Sequence, residues 1–62
     1  MLLEERLFKI SQIVDKEGSA TIDFLAQKLE VSKDTIRRDL IKLESRKKLH
    51  RVHGGAIPIG KE

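Results

Sequence analysis

The chain has no cysteine, tryptophan or tyrosine, only one proline and only two phenylalanines. Without cysteine it can form no disulfide framework or thiolate-bound zinc site, and it has no thiol nucleophile. Such usage agrees with a reducing compartment. The only imidazoles, His50 and His53, stand three apart in a stretch that reads as extended, so they face opposite sides and no metal site is expected. No apolar run approaches the roughly 20 residues that cross a bilayer. The start Met1-Leu2-Leu3-Glu4-Glu5 lacks the basic-then-apolar order of a secretion signal. A soluble, cytoplasmic protein with no membrane partner is expected. Sixty-two residues make one small domain with a modest core. A catalytic cleft needs a nucleophile or paired acids, and no such cluster stands out. Neither enzyme activity nor a cofactor is therefore expected.

What is present is charge, unevenly placed. Residues 1–32 carry four basic and six acidic side chains, whereas residues 33–53 carry eight basic and three acidic ones. An acidic first half followed by a basic second half suits contact with nucleic acid, although lysines and arginines also simply solvate a helix.

Hydrophobic spacing predicts three helices. Leu3, Leu7, Ile10 and Val14 follow one helical face over residues 3–16, widened by Phe8 and Ile13, and Gly18 is a natural stop. Ser19-Ala20-Thr21 reads as a short extended connector. Thr21 is placed to cap a brief second helix over 22–29, with Leu25, Ala26 and Leu29 buried. After a tight turn at Glu30-Val31-Ser32, Ser32 caps a third helix running to about Arg46 or Lys47. Ile36, Leu40 and Leu43 form its core face, with Ile41 at the edge. Phe8 and Phe24 fall in helical stripes and are expected in the core, which leaves no aromatic platform for stacking single-stranded bases. Leu49-His50-Arg51-Val52 and Ala56-Ile57-Pro58-Ile59 read as two strands around a glycine turn. The expected fold is mainly α with a small β-hairpin.

A short helix, a tight turn and a capped helix form a helix-turn-helix. Small Ala26 suits the helix crossing, Val31 plugs the turn and Ile36 faces inward. The outward face of the third helix then carries Lys33, Thr35, Arg37, Arg38 and Lys42. A helix fits the major groove, where arginine pairs bidentately with guanine and threonine meets a thymine methyl. Ser32 and the first free amides of the helix suit a phosphate. Arg37 and Arg38 point about a hundred degrees apart around the helix, so one reads a base and the other a phosphate, in an order the residues do not assign. Arg38 is also spaced to pair with Asp34. Lys42 is a phosphate contact or a solvated side chain. Asp39 lies beside this face and is expected to orient an arginine or to hold the helix to the hairpin. His53 belongs to the turn of the hairpin, near phosphate or bonded within the hairpin. The expected DNA-binding set is Ser32, Lys33, Thr35, Arg37, Arg38, Lys42, Arg51 and His53. The runner-up is a winged helix used for protein or RNA contact.

Val31-Ser32-Lys33-Asp34-Thr35-Ile36-Arg37-Arg38-Asp39-Leu40 resembles the VSxxTIRRDL core of DeoR-type bacterial repressors. Arg51-Val52-His53-Gly54-Gly55-Ala56 resembles the RVHGGA wing of the same family, and Glu5-Arg6 and Phe24-Leu25-Ala26 also fit its pattern. The resemblance implies a winged helix-turn-helix over residues 1–59. It places a recognition helix over about 33–46 and a wing over about 49–59, on the backbone or in the minor groove. Residues 60–62 would begin a linker to a C-terminal effector domain. It further implies repression of a sugar or carbohydrate operon, a phosphorylated sugar as effector on that further domain, and assembly into a homo-oligomer through it. The chain departs from the family pattern in two places. Glu30 stands where Gly or Asn is usual, in a turn that needs a left-handed residue. Lys47-Lys48 replaces Gly and an apolar residue, so the third helix is expected to run on or fray and the wing to tilt.

Overall fold

A computed structural model describes residues 1–61; Glu62, the last position of the expected linker, lies outside the described residues. Three helices and a three-stranded antiparallel sheet follow in the order α1 (Leu3–Glu17), β1 (Ala20–Thr21), α2 (Ile22–Leu29), α3 (Lys33–Ser45), β2 (Leu49–Val52) and β3 (Gly55–Pro58). This is the mainly α architecture with a hairpin wing that the spacing predicts.

The helix ends follow local chemistry. Gly18, at φ 82°, closes α1 by donating its amide to the Val14 carbonyl at 2.9 Å. Thr21 Oγ1 accepts the Phe24 amide at 3.0 Å and starts α2. Ser32 Oγ accepts the Thr35 amide at 3.1 Å and starts α3, while its hydroxyl donates to Thr35 Oγ1 at 2.9 Å. Each cap satisfies an amide that has no partner inside the helix.

Glu30 takes the left-handed conformation at φ 58°, which lets the amides of Glu30 and Val31 both close on the Ala26 carbonyl. Lys47 does the same after α3, at φ 60°. The Lys48 amide then reaches the Leu43 carbonyl and the Lys47 amide the Glu44 carbonyl, each at 2.9 Å. This pair of bonds is the usual closure of a helix on a left-handed residue. The expectation that α3 runs on or frays for want of a glycine is therefore overturned. Lysine adopts the required conformation, α3 stops at Ser45, and the wing leaves from a bonded turn.

The sheet order is β1-β3-β2, so β3 lies between the hairpin partner β2 and the two-residue β1. Leu49 faces Pro58 and Val52 faces Gly55 across the hairpin, while Ala20 faces Ala56 on the other side of β3. Gly55 permits this approach: a β-carbon there would stand 2.2 Å from the Ala20 carbonyl oxygen. The Ile22 amide, at the start of α2, donates to the Gly54 carbonyl in the wing turn at 2.8 Å.

The core is one cluster. Leu7, Ile10 and Val14 come from α1, Leu25 and Ala26 from α2, and Ile36, Leu40 and Leu43 from α3. Ala20, Leu49 and Ala56 come from the sheet. Ile13, Ile22, Leu29 and Val31 pack against it. Full burial stabilises each large aliphatic by about 1.5–3 kcal/mol. The phenylalanines do not join this cluster, contrary to expectation: Phe8 is 64% exposed and Phe24 42%. Each stands one residue, about a hundred degrees of turn, from a buried leucine (Leu7 or Leu25), and a domain this small buries only a narrow stripe of each helix. Ile41, expected at the core's edge, is also exposed.

Candidate nucleic-acid interface

α3 displays the expected side chains on its outer surface. Ser32, Lys33, Arg37, Arg38 and Lys42 are exposed, and Thr35 is half-buried beneath the Ser32 cap. The wing adds Arg51 and His53, both exposed. Arg37, Arg51 and His53 line one groove between α3 and the hairpin, floored by Ile22, Leu40 and Gly55. The structure thus brings these three together. Ser32, Lys33, Thr35, Arg38 and Lys42 lie outside the groove lining, farther along or around α3.

Several of the cations already have acidic partners. Lys33 Nζ lies 3.1 Å from Asp23 Oδ1, linking the start of α3 to α2. Arg37 Nη1 donates to Asp34 Oδ1 at 2.9 Å. Asp34 is thus taken by its i+3 neighbour and not by Arg38, the i+4 partner that the spacing also allows. Both side chains are more than half exposed, so the pair adds little stability. Neither Arg38 nor Lys42 has a side-chain hydrogen bond or ion pair among the described residues, and both are left facing solvent.

Asp39 does not stand beside the reading face. It is 1% exposed and points inward, where Oδ1 accepts from Arg6 Nη2 at 3.0 Å and Oδ2 accepts from Arg6 Nε. The expectation that it orients an arginine holds, but the element it grips is α1 rather than the hairpin. The hydrogen bonds to Asp39 raise the Arg6 pKa above its ordinary value, against the opposing effect of burial. A second tie between the same helices lies at the surface, where Glu4 accepts from both terminal nitrogens of Arg46 at 2.7 and 2.9 Å. Those bonds hold the Glu4 carboxyl below its usual range.

Glu44 was not singled out by sequence. Its Oε2 accepts the Arg51 backbone amide at 3.0 Å and its Oε1 accepts Arg51 Nε at 2.9 Å. The backbone bond, then the side-chain bond, hold its pKa down, with smaller help from the positive charge of Arg51 and from His50. A Glu seven residues before an Arg, across a helix end and a turn, matches no local pairing pattern, so periodicity could not reveal it.

The described residues contain no cluster of three or more metal-ligating side chains, and no helix among them is long and apolar enough to cross a membrane. The arrangement offers a convex helical face, a flanking hairpin and fixed positive charge. These features suit recognition of a polyanion.

Comparison with known proteins agrees. The DeoR-like helix-turn-helix domain family matches residues 6–62. The chain is 48% identical over 59 residues to an uncharacterized HTH-type transcriptional regulator of Bacillus subtilis, covering 95% of this chain and 23% of that protein. It is 50% identical over 48 residues to the L-fucose operon activator of Haemophilus influenzae, covering 77% and 19%. It is 43% identical over 56 residues to the lactose phosphotransferase system repressor of Streptococcus mutans, covering 90% and 22%. The chain therefore spans less than a quarter of the length of these relatives. No solved structure matches it.

Proposed function

This chain belongs to the DeoR-like helix-turn-helix family, a DNA-binding module of transcriptional regulators and not an enzyme, and from that premise we propose that α3 reads a duplex operator in the major groove. The β2–β3 wing lies on the adjoining backbone or minor groove. One observation carries this reading: a capped α3 presents Arg37, Arg38 and Lys42, and Arg51 and His53 stand beside it on the hairpin. Arg38, without an acidic partner among the described residues, is the side chain best placed to enter the groove. Arg37, steered by Asp34, is placed for a base edge or the flanking phosphate. Ser32, Lys33 and Thr35 meet the phosphates at the start of α3.

The regulated genes are those of sugar or carbohydrate metabolism. Support comes from the relatives, one named for an L-fucose operon and another for a lactose phosphotransferase system. The role is repression, relieved by a phosphorylated sugar bound to a further domain that also joins the protein into a homo-oligomer in the cytoplasm. Residues 1–59 form the reading domain, and the linker starts at residue 60.

The test is an electrophoretic shift on mixed genomic duplexes, followed by enrichment of the bound sites and a salt titration. Affinity should fall steeply with salt. Arg37→Ala and Arg38→Ala should each cost about 1–3 kcal/mol on an enriched site where the residue reads a base. Wild-type affinity in the double variant, or binding indifferent to salt, refutes the reading; preference for a structured RNA would favour the other use of this fold.

A further inference from the structure

A carboxylate on a surface that meets DNA repels phosphate, so Glu44 needs a reason to be there. It sits on α3 seven residues after Arg37 and four after Leu40, on the side that faces the hairpin. Both its oxygens bond Arg51, one the backbone amide and one Nε. Strand β2 is an edge strand, and the Arg51 amide lies on its open side, so the bond caps that edge with the recognition helix. An arginine carries five N–H donors in a planar fork. Glu44 occupies the Nε donor, and the four on the two terminal nitrogens have no protein partner among the described residues. A phosphate accepts from such a fork through two parallel bonds.

We propose that Glu44 is a positioning residue for DNA binding, which locks the wing to the recognition helix and presents the terminal nitrogens of Arg51 to the DNA backbone. The inference rests on the reading of α3 and the wing as the DNA-binding surface. Glu44 touches no DNA itself; it acts through Arg51. Without it the guanidinium swings freely on its stem and the hairpin loses the two bonds that join Arg51 to α3. Each phosphate contact then costs the ordering of a long side chain, which the carboxylate otherwise supplies in advance.

The sign of one substitution separates this proposal from simple electrostatics. Glu44→Gln removes a negative charge near DNA, and on repulsion alone it tightens binding. A lost positioning contact loosens it. Wild type, Glu44→Gln, Arg51→Ala and the double variant are measured by fluorescence anisotropy on a random-sequence duplex pool across a salt series. Because Arg51 meets phosphate, sequence is immaterial. Glu44→Gln should weaken binding about tenfold and make the salt dependence shallower by about one phosphate contact. In the Arg51→Ala background the same change should weaken binding much less, because only the bond to the backbone amide is left to lose. Should Glu44→Gln misfold, Arg51→Lys keeps the charge but lacks the Nε donor, and it should show the same weakening. Equal or tighter binding by folded Glu44→Gln, with Arg51→Ala weakened, overturns the role of Glu44. Equal weakening in both backgrounds, or wild-type affinity in Arg51→Lys, overturns it as well. Wild-type affinity in Arg51→Ala instead removes the wing from the DNA surface, and the proposal falls with it.

Discussion

The Arg6–Asp39 pair gives a sharp stability test. Replacing Arg6 by alanine strands a carboxylate that is 1% exposed and whose two oxygens have no other donor among the described residues. Removing one partner of a buried ion pair costs about 3–5 kcal/mol, because a charge is left in a poor solvent without compensation. A domain of 62 residues is stable by about 3–9 kcal/mol in total, at about 0.05–0.15 kcal/mol per residue. Arg6→Ala should therefore take away much or all of the stability. In a urea titration followed by far-UV circular dichroism, a slope of about 1 kcal/mol per molar puts the loss at about 3–5 M in midpoint. Asp39→Asn should be milder, since the Arg6 side chain keeps 17% of its surface exposed and can turn to water. Replacing both residues with apolar side chains of similar size, Arg6→Met with Asp39→Leu, should restore near-native stability, because no charge is left buried. A loss below about 1 kcal/mol in Arg6→Ala, the range of a surface pair, would refute this reasoning.

Two further outcomes follow from the same geometry. Glycine in place of Lys47 or Glu30, both left-handed, should stabilise the domain by about 0.5–1 kcal/mol each: the relief of about 1–2 kcal/mol is partly offset by glycine's greater freedom when unfolded. Thermal melting checks this, and a lowered midpoint in both variants would contradict it. The carboxyls of Glu4 and Glu44 are both depressed below their ordinary 4.5, so the stability they contribute is present above that value and lost as pH falls through their folded pKa values. Urea midpoints should stay level on this account from neutrality to about pH 5 and fall below 4.5, with a shallower fall in Glu44→Gln. An unchanged acid slope in that variant would count against the Glu44–Arg51 bond.

Much of this fold was legible because it is written in local signals. Helix spacing placed Leu7, Ile10, Val14, Ile36 and Leu40, and hydroxyl caps placed the starts of α2 and α3 at Thr21 and Ser32. Local rules failed where burial depends on how wide a helical stripe the rest of the chain covers. Phe8 and Phe24 have the right chemistry for a core but stand one step outside it. They failed again for contacts between distant residues. Spacing gives Asp39 a role in orienting an arginine but not which one, because Arg6 arrives on α1 from thirty-three positions away. At Lys47 the missing glycine suggested an unfinished helix, yet lysine can enter the left-handed region at modest energy when two backbone bonds wait on the other side. The candidate site was legible as a set of cations, but the acids that steer them were not. Asp34 takes Arg37 rather than Arg38, and Glu44 takes Arg51 across a turn.

The bond from the Ile22 amide to the Gly54 carbonyl, together with the pairing of Ala20 with Ala56, also sets an order of events during synthesis. A chain made only as far as Val52 already contains all three helices, but the partner for the first amide of α2 and the strand that β1 pairs with are still to come. Contacts between residues so far apart close late, because a long loop must be ordered before they reward it. The helices can thus assemble while the chain is still growing, yet α2 and α3 reach their final setting only when the hairpin arrives. Within this domain the hairpin is therefore the last part to be made, and the surface it forms with α3 stays incomplete until it has been added.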